Sequence, residues 1–131
     1  MKDPSIRLVL DTSAVLAYTA GSIDLGETIA EVVDEGGRFA ASAICLAEAV
    51  RQVADEQAPG VPLLTRHTRF VPLPVLAEDC DRIGYWAKDL RRVDQAAAVI
   101  EVIDRPDCYL ATREPHAYDI KSLADLPMIE I

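Results

Sequence analysis

The sequence predicts an α/β chain: a three-layer α/β/α sandwich with a central, mostly parallel sheet of four to five strands. Three observations carry this expectation. Short apolar runs alternate with stretches of helical periodicity along the whole chain, a pattern that calls for parallel pairing and crossover helices. The first run, Ile6 to Leu10, has almost no polar break, which suits a strand covered on both faces. It leads through Asp11-Thr12-Ser13 into the apolar Ala14-Val15-Leu16-Ala17-Tyr18. An acid therefore stands at the carboxyl edge of the sheet, the edge where open α/β sheets bind ligands.

The remaining elements follow in order. Asp24-Leu25-Gly26-Glu27 has the acid-x-x-Glu form of a helix start, Ile29, Val32 and Val33 continue its apolar stripe, and Gly36-Gly37 ends it. Phe39-Ala40-Ala41 is weakly strand-like. Ser42 is placed to cap a helix running to about Gln57, with Ile44, Ala47, Val50 and Ala54 toward the core and Glu48 in its second turn. Residues 58 to 68 carry two prolines and a glycine and predict an irregular connection with one short helical turn. Phe70-Val71-Pro72-Leu73 reads as a strand, and Pro72 assigns it to a sheet edge.

Leu76, Cys80, Ile83, Ala87 and Leu90 then recur at helical spacing, opposite Glu78, Asp79, Asp81, Arg82 and Lys88. Tyr85 and Trp86 flank that stripe as packing residues. Asp94 opens a further helix through Ala96-Ala97-Ala98 to Ile103, stopped by Pro106. Cys108 to Thr112 is a buried strand leading to Arg113-Glu114-Pro115, and Met128 to Ile131 is a last short strand. Pattern sets these layers and leaves strand order open.

At 131 residues, half of them hydrophobic, the chain predicts one domain, 1–131, with a real core. No apolar run approaches the roughly 18 residues of a membrane span, and the start lacks a basic-then-apolar-then-small signal pattern. A cytoplasmic protein without membrane contact is expected. Cys45, Cys80 and Cys108 are odd in number, far apart and set among aliphatic residues, so they read as core fillers rather than a disulfide or zinc site. The net charge of −9 does not supply the positive face that broad phosphate-backbone binding needs. Either a few arginines and a divalent cation hold an anionic substrate, or a basic partner covers an acidic surface; mere solubility is the plain alternative.

The acids near the ligand-binding edge are Asp11, Glu48, Asp94 and Glu114. Four carboxylates brought together repel one another unless a cation sits among them. Oxygen donors without histidine suit Mg²⁺ or Mn²⁺. Such an ion can polarise a phosphoryl oxygen and lower the pKa of an attacking water. Each acid has a structural reading too. Asp11 and Asp94 are placed to cap helices, Glu48 to pair with Arg51 or Gln52, and Glu114 is a loop acid ahead of a proline. Arg113, and Arg91 with Arg92, are the candidates for holding phosphate, with surface ion pairs as their alternative. No Ser-His-Asp or Cys-His set is readable, and Gly-x-Gly-x-x-Gly and Gly-x-x-x-x-Gly-Lys are absent, which counts against a nucleotide cofactor. His67 and His116 are isolated loop histidines.

In this order the acids resemble the pattern of PIN-domain ribonucleases, in particular the small VapC-type toxins of bacterial toxin–antitoxin pairs. Leu8-Val9-Leu10-Asp11-Thr12-Ser13-Ala14-Val15 is similar to the family's opening motif, and Ala41-Ser42-Ala43-Ile44-Cys45-Leu46-Ala47-Glu48-Ala49 resembles its second. Asp94-Gln95-Ala96-Ala97-Ala98 is similar to the helix start carrying the third acid, and Leu110-Ala111-Thr112-Arg113-Glu114-Pro115-His116-Ala117-Tyr118 resembles the segment with the fourth. The resemblance implies a PIN-like sandwich, Mg²⁺ or Mn²⁺ held by Asp11, Glu48 and Asp94, and Glu114 in the place of the fourth acid. It further implies endonucleolytic hydrolysis of RNA, a homodimer and a cognate antitoxin. Thr12, Ser13 and Thr112 would then hold a metal-bound water, or else serve as local caps. The chain departs from the pattern in having Glu114 where Asp is usual, one methylene longer.

Two rivals remain. One is a catalytically weak or inactive PIN-like interaction module, whose helix faces at 24–35 and 42–57 serve a dimer or an antitoxin. The other is a phosphotransfer protein with Asp after its first strand. Against that, Ser13 stands where a phosphatase would carry a second Asp, and the paired acids and the final-strand lysine of a receiver domain are missing.

Overall fold

The structure, a computed structural model, describes residues 2–131. Five strands form one all-parallel sheet: β1 (Ile6–Leu10), β2 (Arg38–Ser42), β3 (Phe70–Leu73), β4 (Tyr109–Thr112) and β5 (Met128–Glu130). Their order across the sheet is β3-β2-β1-β4-β5. Helices α1 (Thr12–Thr19) and α2 (Ile23–Asp34) connect β1 to β2, and α3 (Ala43–Gln52) and α4 (Gly60–Thr65) connect β2 to β3. Helices α5 (Cys80–Leu90) and α6 (Val93–Ile103) lead on to β4. The expected three-layer sandwich is present. No helix among the described residues is long and apolar enough to cross a membrane.

Side chains on the strands divide between two cores, as a sheet covered on both faces requires. Val9, Ala40 and Leu110 pack with Ile83, Leu90 and the apolar residues of α6. Leu8, Leu10, Phe39 and Ala41 pack with Val15, Leu25, Ile29 and Leu64 on the opposite face. The pairing of β1 with β2 shifts register between Ile6 and Leu8, and Ile6 joins the face of Val9 rather than that of Leu8, as a bulge allows. β3 is an outer strand, so Pro72 costs the sheet no ladder bond on its open side.

Helix α3 bridges the layers. It packs against both α1 and α6, with Cys45 in one core and Ala49 in the other. That placement corrects the predicted stripe. The helix stops at Gln52, Val53 is extended (ψ 138°), and Asp55–Gln57 form a separate 3-10 turn. Cys45 and Ala49 face inward, Ile44 and Leu46 are half-buried, and Ala47, Val50 and Ala54 are exposed. Apolar residues surround this helix on every side, so spacing alone selects the wrong phase. A β-branched residue at 53 favours the extended state that ends it.

Smaller corrections have similar causes. The cap of α2 is Ser22, whose hydroxyl accepts from the Leu25 N–H at 3.2 Å, and Asp24 lies inside the first turn. Cys45 and Cys108 are buried but Cys80 is exposed, because the inward stripe of α5 begins at Ile83. Leu76 is exposed, and so is Tyr85, whose ring meets half-buried Trp86 edge-on at 5.5 Å. The last turn of α5 closes at Arg91 in the left-handed conformation (φ 67°).

Candidate acidic site at the carboxyl edge of the sheet

In the order β3-β2-β1-β4-β5 the chain runs outward from β1 on one side and from β4 on the other. The carboxyl ends of β1 and β4 therefore flank the switch point of the sheet, the crevice that parallel sheets offer to ligands. Asp11 follows β1 directly, and Thr112 ends β4.

Asp11 is 1 % exposed. Its Oδ1 accepts from the Ser13 hydroxyl at 2.6 Å and from the Ala14 N–H at 2.9 Å, which makes it the cap of α1. Its Oδ2 accepts from the Tyr118 hydroxyl at 2.7 Å. Since the single Ser13 proton goes to Asp11, Thr112 is the donor in the 3.2 Å contact between the Ser13 and Thr112 hydroxyls. Ser13 Oγ also accepts from the Arg113 N–H, and Thr112 Oγ1 from the Glu114 N–H, each at 2.9 Å. A continuous, one-directional set of hydrogen bonds thus runs from the Glu114 backbone through Thr112 and Ser13 to Asp11. Neighbouring bonds in such a chain polarise and strengthen one another.

Asp94 is reached from the same turn. The Thr12 hydroxyl donates to Asp94 Oδ2 at 2.6 Å, joining residues 82 positions apart. Asp94 lies one residue inside α6, whose N-cap position is held by Arg92 without a side-chain cap bond, so Asp94 is not the N-cap of that helix. Arg92 holds it with a two-point fork, Nε to Oδ1 at 3.0 Å and Nη2 to Oδ2 at 2.6 Å. Burial pushes the Asp94 carboxyl up, but the bonds from Arg92 and Thr12 outweigh it and leave the group below the usual carboxylate range.

Glu114 and Glu48 stand at the rim. Glu114 is half exposed, with Oε2 3.6 Å from Arg92 Nη1. Glu48 accepts from Arg51 Nε and Nη2 and from Gln52 Nε2, the pairing that the helix spacing allowed. Hydrogen bonds from Arg51, then Gln52, hold its pKa down at about 2, and the charge of Arg92 contributes. Arg51 and Arg92 therefore lie along one acidic rim, Arg51 on Glu48 and Arg92 on Asp94 and Glu114. Arg91 and Arg113 are exposed, and Arg113 meets the network through its backbone.

In kind, these donors fit a hard divalent cation: carboxylate oxygens, hydroxyls beside them, and no histidine among the network's groups. The buried Cys45 thiol is engaged with the Asp94 carbonyl at 3.2 Å, and burial raises its pKa, so it adds no soft ligand. In arrangement, every carboxylate already has a protein counter-group. Among the described residues no three Asp, Glu, His or Cys side chains converge closely enough to hold a metal ion.

No model of a known family matches the chain, and no curated protein matches it. The site is thus read from its own geometry.

Two contacts of the site go beyond what the motifs announce. Tyr118 lies in a 3-10 turn after Glu114, at the end of the segment carrying the fourth acid, and its bond to Asp11 has no signal of its own. Thr12 donates to Asp94, a contact that nothing in the neighbouring sequence announces. A concavity of about 520 Å³ among Trp86, Val102, Cys108 and residues 121–127 lies before β4 and β5, at the opposite edge of the sheet from the acids.

Proposed function

We propose that this chain is a PIN-like, metal-dependent endoribonuclease of the VapC type that hydrolyses RNA phosphodiester bonds. One observation carries the reading: Asp11 and Asp94, both nearly inaccessible, are tied together through Thr12 beside the crevice between β1 and β4. Removing like charges from water is costly, and Asp94 is not the N-cap of its helix. A buried carboxylate with a shifted pKa at a ligand-binding edge is a candidate for a functional site.

On this reading Asp11, Glu48 and Asp94 would hold Mg²⁺ or Mn²⁺ only after leaving their present partners and drawing together, with Glu114 at the rim beside them. Such an ion, if bound, would polarise a phosphoryl oxygen and make a bound water more acidic. The chain's own groups do the rest. Ser13 and Tyr118 fix the orientation of the Asp11 carboxylate, and Thr12 fixes that of Asp94. Arg92, beside Asp94, and Arg113, which follows β4, would bind the flanking phosphates in a protein whose net charge is −9.

The test is RNA cleavage. With Mg²⁺ or Mn²⁺ the native protein should cut a single-stranded RNA internally, and Asp11→Asn should leave it whole while keeping a native circular dichroism spectrum. Equal cleavage by both proteins, or none by the native one, overturns the proposal.

The pairing of all three candidate ligands with protein donors favours a second reading, an inactive PIN-like interaction module in which Arg51 and Arg92 neutralise Glu48 and Asp94 and hydroxyls hold Asp11. Absence of cleavage together with a stable complex would select it. A homodimer and a cognate antitoxin belong to the toxin proposal. Ile23, Val50 and Leu63, on α2, α3 and α4, are exposed apolar residues that such a contact would cover. Sedimentation tests the dimer, and a small DNA-binding protein encoded next to this chain would support the antitoxin.

A further inference from the structure

On the face of the sheet that carries α1 and α2, the helical cover is incomplete over β4 and β5. Helix α2 packs against β1 and β2 there, and α1 reaches β4. Tyr109 lies two residues before Ala111, which packs in the core of that face, so the two share a side of the strand. A parallel sheet of this kind is normally covered on both faces. Tyr109 is nonetheless 46 % exposed, although β4 runs between β1 and β5 and the rest of that strand is fully buried. Ile129, the partner of Ala111 on β5, is only half-buried. Tyr109 and Ile129, with Leu8 and Val32, line a concavity of about 330 Å³. It sits beside the starts of β1 and β4, the opposite end of those strands from Asp11 and Thr112.

The rim of this concavity is acidic. Glu31, Glu35 and Asp107 stand on it, all exposed, against one cation, Arg7. Among the described residues none of the three acids forms an ion pair. Two of them also oppose their own helix. Glu35 caps the carboxyl end of α2, which has no basic residue in its last turn, and that end of the helix dipole favours cations. Glu31 and Glu35 are four residues apart, where like charges repel. Asp107 holds a left-handed backbone (φ 58°) that costs a residue with a side chain.

We propose that this uncovered part of the sheet docks a basic segment of a partner protein, with a cationic side chain against Tyr109 and the three carboxylates and an adjoining apolar side chain on Leu8, Val32 and Ile129. Charge complementarity selects this occupant. A cation is attracted to the face of a tyrosine ring and meets carboxylates that have no counter-charge of their own. A second copy of this chain brings the same surplus of acids against itself, and an anionic polymer is repelled. The surface is remote from the acids of the nuclease reading and does not depend on them.

The experiment follows the backbone amide resonances of the isotope-labelled full chain during titration with a short synthetic peptide alternating arginine and leucine, and with its glutamate and leucine counterpart. Shifts concentrated at residues 31–35, 107–109 and 129 with the basic peptide, and none with the acidic one, support the proposal. Tyr109→Ala should weaken binding about fivefold, Tyr109→Phe should keep most of it, and Glu31→Gln combined with Glu35→Gln should weaken it as well. Should Tyr109→Ala not fold, the glutamine double variant decides alone, since removing those acids relieves α2. Shifts spread equally over other acidic surfaces, such as Glu78, Asp79 and Asp81, overturn the proposal, as does native affinity in the folded variants or no binding of the basic peptide. A native protein that sediments as a dimer, and that Tyr109→Arg makes monomeric, assigns the face to a second copy and also overturns it.

Discussion

The Tyr118 hydroxyl donates a 2.7 Å hydrogen bond to Asp11 Oδ2, joining the turn after β4 to the end of β1 across 107 residues. Tyr118 is 1 % exposed. Burial, followed by the nearby Asp11 charge, pushes its phenol well above the usual value, so it remains a donor throughout the working pH range. Tyr118→Phe keeps the ring and removes only the donor. The expected cost is about 1.5–3 kcal/mol, the range for a bond to a charged group, read as a lower urea midpoint at an unchanged m-value.

Divalent ions should stabilise the native state, since a ligand bound only by the folded chain shifts the unfolding equilibrium by mass action. Mn²⁺ at a hundred times its dissociation constant should add about 2.7 kcal/mol and raise the melting temperature. Asp94→Asn should melt at the same temperature with and without the ion. A native protein insensitive to millimolar Mn²⁺ would count against a metal site.

Acid should destabilise the fold within a definite window. Glu48 is lowered from 4.5 to about 2, first by Arg51. Asp104 is lowered by the Arg82 fork, and Asp94 falls below 3.8 because Arg92 and Thr12 outweigh its burial. Each binds its proton less readily folded than unfolded, so its contribution is present above the ordinary carboxylate pKa and disappears as pH falls through the folded one. The urea midpoint should drop as pH falls from about 4.5 to about 2, and Glu48→Gln should flatten part of that slope.

Gly60 marks the contact of α4 with α1. A Cβ added there would lie 2.8 Å from Thr19 Cα and 2.9 Å from Thr19 Cβ. Backbone cannot yield as a flexible side chain would. Gly60→Ala should therefore cost about 1–3 kcal/mol through overpacking, whereas Gly26→Ala, with nothing within 4 Å of its new Cβ, should not destabilise α2. Thermal unfolding of the two variants side by side checks the contrast.

Much of the architecture is legible in the sequence because burial on both faces leaves so plain a trace. The unbroken Ile6 to Leu10 run, Pro72 on an outer strand and the apolar length of α6 all have direct counterparts in the sheet and its layers. Helix α3 misleads because apolar residues ring it, and Cys80 because its helical stripe extends past the core it covers. For the site, the edge location of Asp11 follows from one strand and one turn. The Thr12 to Asp94 and Tyr118 to Asp11 bonds do not, since each depends on where two distant segments come to rest. The hold of Arg51 on Glu48 was foreshadowed by helical spacing, whereas the grip of Arg92 on Asp94 depends on side-chain torsions that no periodicity encodes.

The middle position of β1 also bears on how the chain is made. β1 is made before the other strands of its sheet and can pair with β2 once that strand follows, but its other side waits for β4, which begins at Tyr109. Until then β1 has an open flank of unpaired backbone, the kind of surface that invites association with other chains. Completing that flank joins segments about a hundred residues apart, and closures of such long range slow folding. A nascent or truncated chain ending before Tyr109 would thus lack both the neighbour that shields β1 and the turn that carries Tyr118 to Asp11.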